Sequence, residues 1–131
     1  MRALFSSVLF AICAALLVSP AQAQGYTGSY VGTYTASQLP GQQITIWLYF
    51  RQSHPTTMTG SYNTGSGVSG ICQGPVSGNV ANLICRNVTP SCPGTYRGRY
   101  TFSSTGVTWT YSGRDCLGNE TGAGAANRLP F

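Results

Sequence analysis

Cys72-Gln73-Gly74-Pro75-Val76-Ser77-Gly78-Asn79-Val80-Ala81-Asn82-Leu83-Ile84-Cys85 reads as two strands folded on a turn. Gly78-Asn79 is a two-residue hairpin signal, because both residue types tolerate the positive φ of the tight primed turns. Cys72 and Cys85 are equidistant from it. Counting outward, Ser77 and Val80 form a hydrogen-bonded pair, and the alternation makes Cys72 and Cys85 a non-hydrogen-bonded one. Cα atoms in such pairs lie about 4.5 Å apart, within the range a disulfide tolerates. The stretch therefore predicts an antiparallel hairpin, its register and an oxidising compartment at once.

Residues 1–23 read as a secretory signal outside the fold. Arg2 supplies the positive start. Ala3 to Val18 is mostly apolar, but too short and wrongly flanked for a membrane span. Ser19-Pro20 breaks the run, and Ala21-Gln22-Ala23 has the A-x-A form of a cleavage site. Ile12 before Cys13 is not the small residue a lipoprotein site requires. The expected product is cleaved after Ala23, secreted or periplasmic, with 24–131 as one disulfide-stabilised domain. Three connectivities are open to Cys72, Cys85, Cys92 and Cys116. Symmetry favours Cys72–Cys85, which leaves Cys92–Cys116, a pair that flanks Ser104 evenly.

Past the signal no helical period appears, while alternation and turn residues recur every dozen residues or so. Eight strands follow: 26–35, 43–52, 57–63, 68–74, 80–88, 95–103, 107–113 and about 120–128. Ile44, Ile46, Leu48 and Phe50 share one face of the second, with Thr45, Trp47, Tyr49 and Arg51 on the other. The sixth sets Tyr96, Gly98, Tyr100 and Phe102 against Thr95, Arg97, Arg99 and Thr101. Eight short-linked antiparallel strands suit a small up-and-down barrel, which side chains can fill or which can hold one small ligand. A β-sandwich is the alternative.

Thr27-Gly28-Ser29-Tyr30 and Thr59-Gly60-Ser61-Tyr62 repeat one pattern, echoed in Pro93-Gly94-Thr95-Tyr96. The first two resemble the T-G-x-W and T-G-x-Y elements on strands one and three of avidin-type barrels, within the calycin group that includes lipocalins. Ser112-Gly113-Arg114-Asp115 is similar to a Gly-x-Asp element that supplies a ligand-binding carboxylate in some avidin-type proteins. The resemblance implies that Tyr62 and Asp115 point polar groups at a ligand inside the barrel and that Tyr30 plugs its floor. The chain departs from the pattern in carrying Tyr at position 30, Gly at position 32 and only two tryptophans, Trp47 and Trp109.

Catalytic motifs are missing from the sequence. His54 is the single histidine, and nothing marks a nucleophile for it to activate. Asp115 and Glu120 are the only acids, so they form the only carboxyl pair available for glycosidase chemistry. Close C-x-x-C spacing is also missing, and neither a metal nor a cofactor is expected. With Arg2 removed the net charge falls from +5 to +4, carried by arginine with no lysine. That is a thin footprint for nucleic acid, which is not an expected partner. Arg97 and Arg99 share a strand face and could meet an anionic partner.

The expected function is thus non-enzymatic: a calycin-like binder with a small, partly apolar ligand among Tyr30, Trp47, Tyr62, Trp109 and Tyr111, with Asp115 as a polar contact. One alternative is a protein-binding module, such as an inhibitor of a secreted hydrolase, using loops and the arginine face. A small secreted hydrolase is the second. No membrane span is expected in the cleaved chain.

Overall fold

Inward-facing residues alternate with outward ones along the strands of the computed structural model, which describes residues 25–130. The signal segment and its cleavage site lie outside the described residues. The strands are β1 (Gly28–Ala36), β2 (Ile44–His54), β3 (Thr57–Thr64), β4 (Ser69–Ser77), β5 (Val80–Asn87), β6 (Gly94–Phe102), β7 (Gly106–Asp115) and β8 (Gly118–Arg128). Each pairs antiparallel with the next, and β1 pairs with β8, so the sheet closes into an eight-stranded up-and-down barrel. Closure leaves no free sheet edge, the feature that separates this architecture from a sandwich.

The Cys72–Cys85 hairpin has the register its symmetry requires. Ser77 pairs with Val80 and Cys72 with Cys85, and Gly78 has φ +61°. Cys72 and Cys85 are bonded with Cα atoms 4.0 Å apart, and Cys92 and Cys116 are bonded at 5.2 Å. The first bridge joins two inward positions in mid-barrel. The second ties the 88–93 connection to the turn between β7 and β8.

One end of the barrel is closed. Tyr30, Phe50, Met58, Leu83 and Phe102 are its largest fully buried side chains. Phe50 meets Phe102 edge-to-face at 5.2 Å and Tyr30 at 5.6 Å, an arrangement that aromatic quadrupoles favour. Residues 25–27 fold across this end. Tyr26 stacks on Phe102 at 4.8 Å, and its carbonyl accepts the Tyr30 hydroxyl at 2.8 Å. Arg128 then pins the segment through hydrogen bonds to the Gly25 and Thr27 carbonyls, at 2.9 and 2.7 Å.

Candidate functional site

Across much of the inner wall, an aromatic side chain faces a glycine on the neighbouring strand. Tyr62 pairs with Gly70, Tyr96 with Gly113, Tyr111 with Gly122 and Trp109 with Gly124. A Cβ at any of these glycines would run into the ring opposite. Each ring therefore lies over the bare backbone of its neighbour, where a larger partner would force it toward the axis.

Room remains as a result. A cavity of about 290 Å³ occupies the half of the barrel opposite the plug. Tyr34, Tyr62, Tyr96, Tyr100, Trp109 and Tyr111 form its aromatic walls, with Ile46 and Leu48 beside them. Gln38, Leu39, Asp115 and Leu117 stand at the mouth, beside the Cys92–Cys116 bridge.

The polar groups form a connected set. Tyr62 donates its hydroxyl to Asn87 Oδ1. Asn87 Nδ2 donates to the Tyr96 hydroxyl at 3.2 Å, and Tyr96 donates to Asp115 Oδ2 at 2.9 Å. Asp115 Oδ1 accepts from Gln38 Nε2 at 3.0 Å and from the Leu117 amide at 2.8 Å. The Tyr111 hydroxyl donates to Glu120 Oε1 at 2.5 Å. The chain's two acids, Asp115 and Glu120, thus meet at one end of one cavity.

Their environments differ. Burial pushes the Asp115 carboxyl up, but hydrogen bonds from Gln38, the Leu117 amide and Tyr96 outweigh it and hold the group below its usual range. Glu120 is pushed above its usual range by burial and by the neighbouring Asp115 carboxylate, against the hydrogen bond from Tyr111. Burial also raises Tyr62, Tyr96, Tyr100 and Tyr111, so their hydroxyls remain protonated donors at neutral pH.

Tyr62, Trp109, Tyr111 and Asp115 come together around this cavity. Tyr30 lies apart in the plug, 1% exposed. The expectation for Trp47 is corrected: it is 50% exposed on the outer wall. Alternation along β2 turns Ile46 and Leu48 inward, so Trp47 between them must face out. Arg97 and Arg99 are exposed on the outer wall of β6, their register partners Ile84 and Asn82 on β5. His54 is exposed at the end of β2.

Sequence reasoning missed Tyr34, Asn87, Tyr96, Tyr100 and Glu120 as lining residues. Tyr96 and Tyr100 carried a usable signal, since alternation put them opposite the arginines. Asp115 also lies near both Cys92 and Cys116, but those sulfurs are bonded to each other and offer no thiolate to a metal.

The chain matches no protein-family model and no curated protein. It is similar to redesigned β-barrels among solved structures. One is mFAP1 bound to DFHBI, with a TM-score of 0.60 at 18% identity, over 78% of this chain and 94% of that one. A second is mFAP0 bound to DFHBI, with a TM-score of 0.61 at 18% identity, over 78% and 97%. A third, b11L5F_LGL, has a TM-score of 0.58 at 17% identity, over 79% and 90%. These likenesses show that the fold is an established one, a small closed β-barrel.

Proposed function

We propose that the protein is an exported, non-enzymatic binding protein that holds one small, partly apolar ligand in the open half of its barrel. The cavity carries this reading. At about 290 Å³ it falls close to the lower end of small-molecule sites, roughly 300–1,000 Å³. Its mostly apolar and aromatic walls, with a few convergent polar groups, have the composition of such sites. Two of the similar barrels hold DFHBI, which supports the use of this architecture for a small ligand. Two disulfides fit export to an oxidising compartment.

A module that met other proteins through Arg97 and Arg99 would have no use for an open cavity. A hydrolase would use Asp115 and Glu120 as its carboxyl pair, yet both Asp115 oxygens already accept hydrogen bonds that anchor the mouth.

Native mass spectrometry of protein recovered from its export compartment tests the reading. The expected result is a small-molecule adduct that is lost on denaturation and is not regained on refolding without ligand. Bare protein throughout, with no thermal shift from a panel of small aromatic compounds, would overturn it.

A further inference from the structure

We propose that the cavity takes an organic cation, an amine or ammonium group carried on an apolar or aromatic tail. This rests on the ligand-binding reading above and specifies the chemistry of the ligand's head. The mouth end of the cavity is walled by three steeply inclined rings. Tyr96 and Tyr111 meet at 5.6 Å and 89°, and Tyr34 meets Tyr111 at 6.3 Å and 62°. Rings inclined steeply to one another around one space turn electron-rich faces to it from different directions, the arrangement that recognises ammonium groups.

Two of these rings are fastened to acids. The Tyr96 hydroxyl donates to Asp115 and the Tyr111 hydroxyl to Glu120. A phenol that donates to a carboxylate gains electron density, which strengthens its attraction for a cation. The carboxylates add their own charge at the same end. No arginine, lysine or histidine lines the cavity among the described residues, and no arginine is among the groups that shift either carboxyl. Arg114, beside Asp115 in sequence, is exposed and turns its guanidinium to Asn119. The acids are thus left without a cation in a chain whose net charge is positive.

The far end of the cavity is different in kind. Leu48 and Trp109 are buried there, and Tyr100 stacks on Trp109 at 5.8 Å and 22°. A charged head at the mouth and an apolar tail below would match this gradient. A bare divalent ion would not, because two carboxylates, with both Asp115 oxygens and Glu120 Oε1 already accepting hydrogen bonds, fall short of the six to eight oxygens calcium takes.

Three probes with one aromatic skeleton test the charge: phenethylamine, phenethyl alcohol and phenylacetate, titrated calorimetrically at neutral pH and low salt. The expected result is that the amine binds at least tenfold tighter than the alcohol, and the alcohol tighter than the carboxylate. Added salt should erode the amine's advantage and leave the alcohol unaffected. Asp115→Asn and Glu120→Gln should each shrink the amine-to-alcohol ratio by about threefold or more, while Arg97→Gln on the outer wall should leave the ratio alone. Equal binding of all three probes, or preference for the carboxylate, would overturn the cationic head while leaving the ligand-binding reading intact. Failure of all three to bind at millimolar concentration would also overturn the cationic head, while the ligand-binding reading stands or falls on the mass-spectrometric test above. The wild-type series decides the matter even if a variant fails to fold.

Discussion

The two halves of this barrel are built from the same alternation, and the half with more aromatic rings is the hollow one. In the closed half Tyr26, Tyr30, Phe50 and Phe102 pack against one another across the axis. In the open half the rings are mostly tyrosines whose hydroxyls are tied to polar groups of the wall or mouth: Tyr62 to Asn87, Tyr96 to Asp115, Tyr111 to Glu120. A phenylalanine is free to move toward whatever apolar surface is nearest. A tyrosine tied at its far end, with a glycine beneath its ring, stays against the wall. The contrast teaches that an aromatic lining does not by itself fill a barrel. The tether and the glycine decide whether a ring packs the axis or borders a space.

Truncating one ring in each half should separate them most strongly. Phe50→Ala should cost about 3–5 kcal/mol, the usual range for a buried ring that only packs. Tyr62→Ala should cost less than half as much, because its ring already borders open space and its chief loss is one hydrogen bond, roughly 1 kcal/mol. Tyr62→Phe should match that smaller loss. Denaturant unfolding measures all three. Equal costs for Phe50→Ala and Tyr62→Ala would mean that the open half is packed as tightly as the plug.

The disulfides sharpen the contrast by position. Cys72–Cys85 closes a separation of 13 residues and Cys92–Cys116 one of 24, so chain entropy alone assigns each roughly 3 kcal/mol. Their local effects should differ. Replacing Cys92 and Cys116 with serine should loosen the mouth and speed amide exchange in 88–93 while the closed half keeps its protection. Serine at Cys72 and Cys85 puts two hydroxyls into a buried mid-barrel position, so protection should fall in both halves. Residue-level hydrogen exchange distinguishes the two. Uniform loss in both variants would show that the mouth has no independent stability.

Much of this architecture is legible in the sequence, and its limits are instructive. Eight strands, the register about Gly78-Asn79 and both bridges follow from alternation and symmetry, which are properties of neighbouring residues. Trp47 is not a lining residue, because the alternation of Ile46 and Leu48 along the same strand turns it outward. Glu120 and Asn87 were not legible as lining residues. Their place depends on the level each strand reaches along the barrel axis, set by pairings such as Gly113 with Glu120 and Asn87 with Gly94 between separate strands. Nor could the sequence distinguish a hollow half from a solid one, since that rests on the direction in which each ring lies.

Adding a methyl tests the glycine half of the argument. A Cβ at Gly70 would collide with the Tyr62 ring, which can escape only into the cavity. Gly70→Ala should therefore cost about 1–3 kcal/mol, as overpacking does, and should weaken ligand uptake by more than that stability loss explains. A thermal melt and a binding isotherm on one preparation would check both. Unchanged uptake in a destabilised variant would show that Tyr62 has another route of escape, and that the glycine beneath it does not set the size of the cavity.

The smallest effect concerns whether the open half gives up stability for its chemistry. Glu120 is held above its ordinary range by burial and by Asp115. An acid whose pKa is higher folded than unfolded keeps, in the native state, a proton that the unfolded chain has released. Stability then falls as pH rises from the unfolded value, 4.5 for glutamate, through the raised folded one, and the loss persists above that window. Asp115, held below its range, acts in the opposite sense at lower pH, and its contribution fades as pH falls through its folded value. Glu120→Gln keeps an oxygen to accept the Tyr111 hydroxyl and removes the charge. The variant should melt a few degrees above the wild type at neutral pH, and level with it in acid where Glu120 is protonated in both states. The same variant should bind a cationic probe less well, so that stability is gained where function is lost. A lower melting temperature at neutral pH would reverse this reading: Glu120 would then be a structural partner of Tyr111, and the mouth would be built for packing, like the plug at the other end.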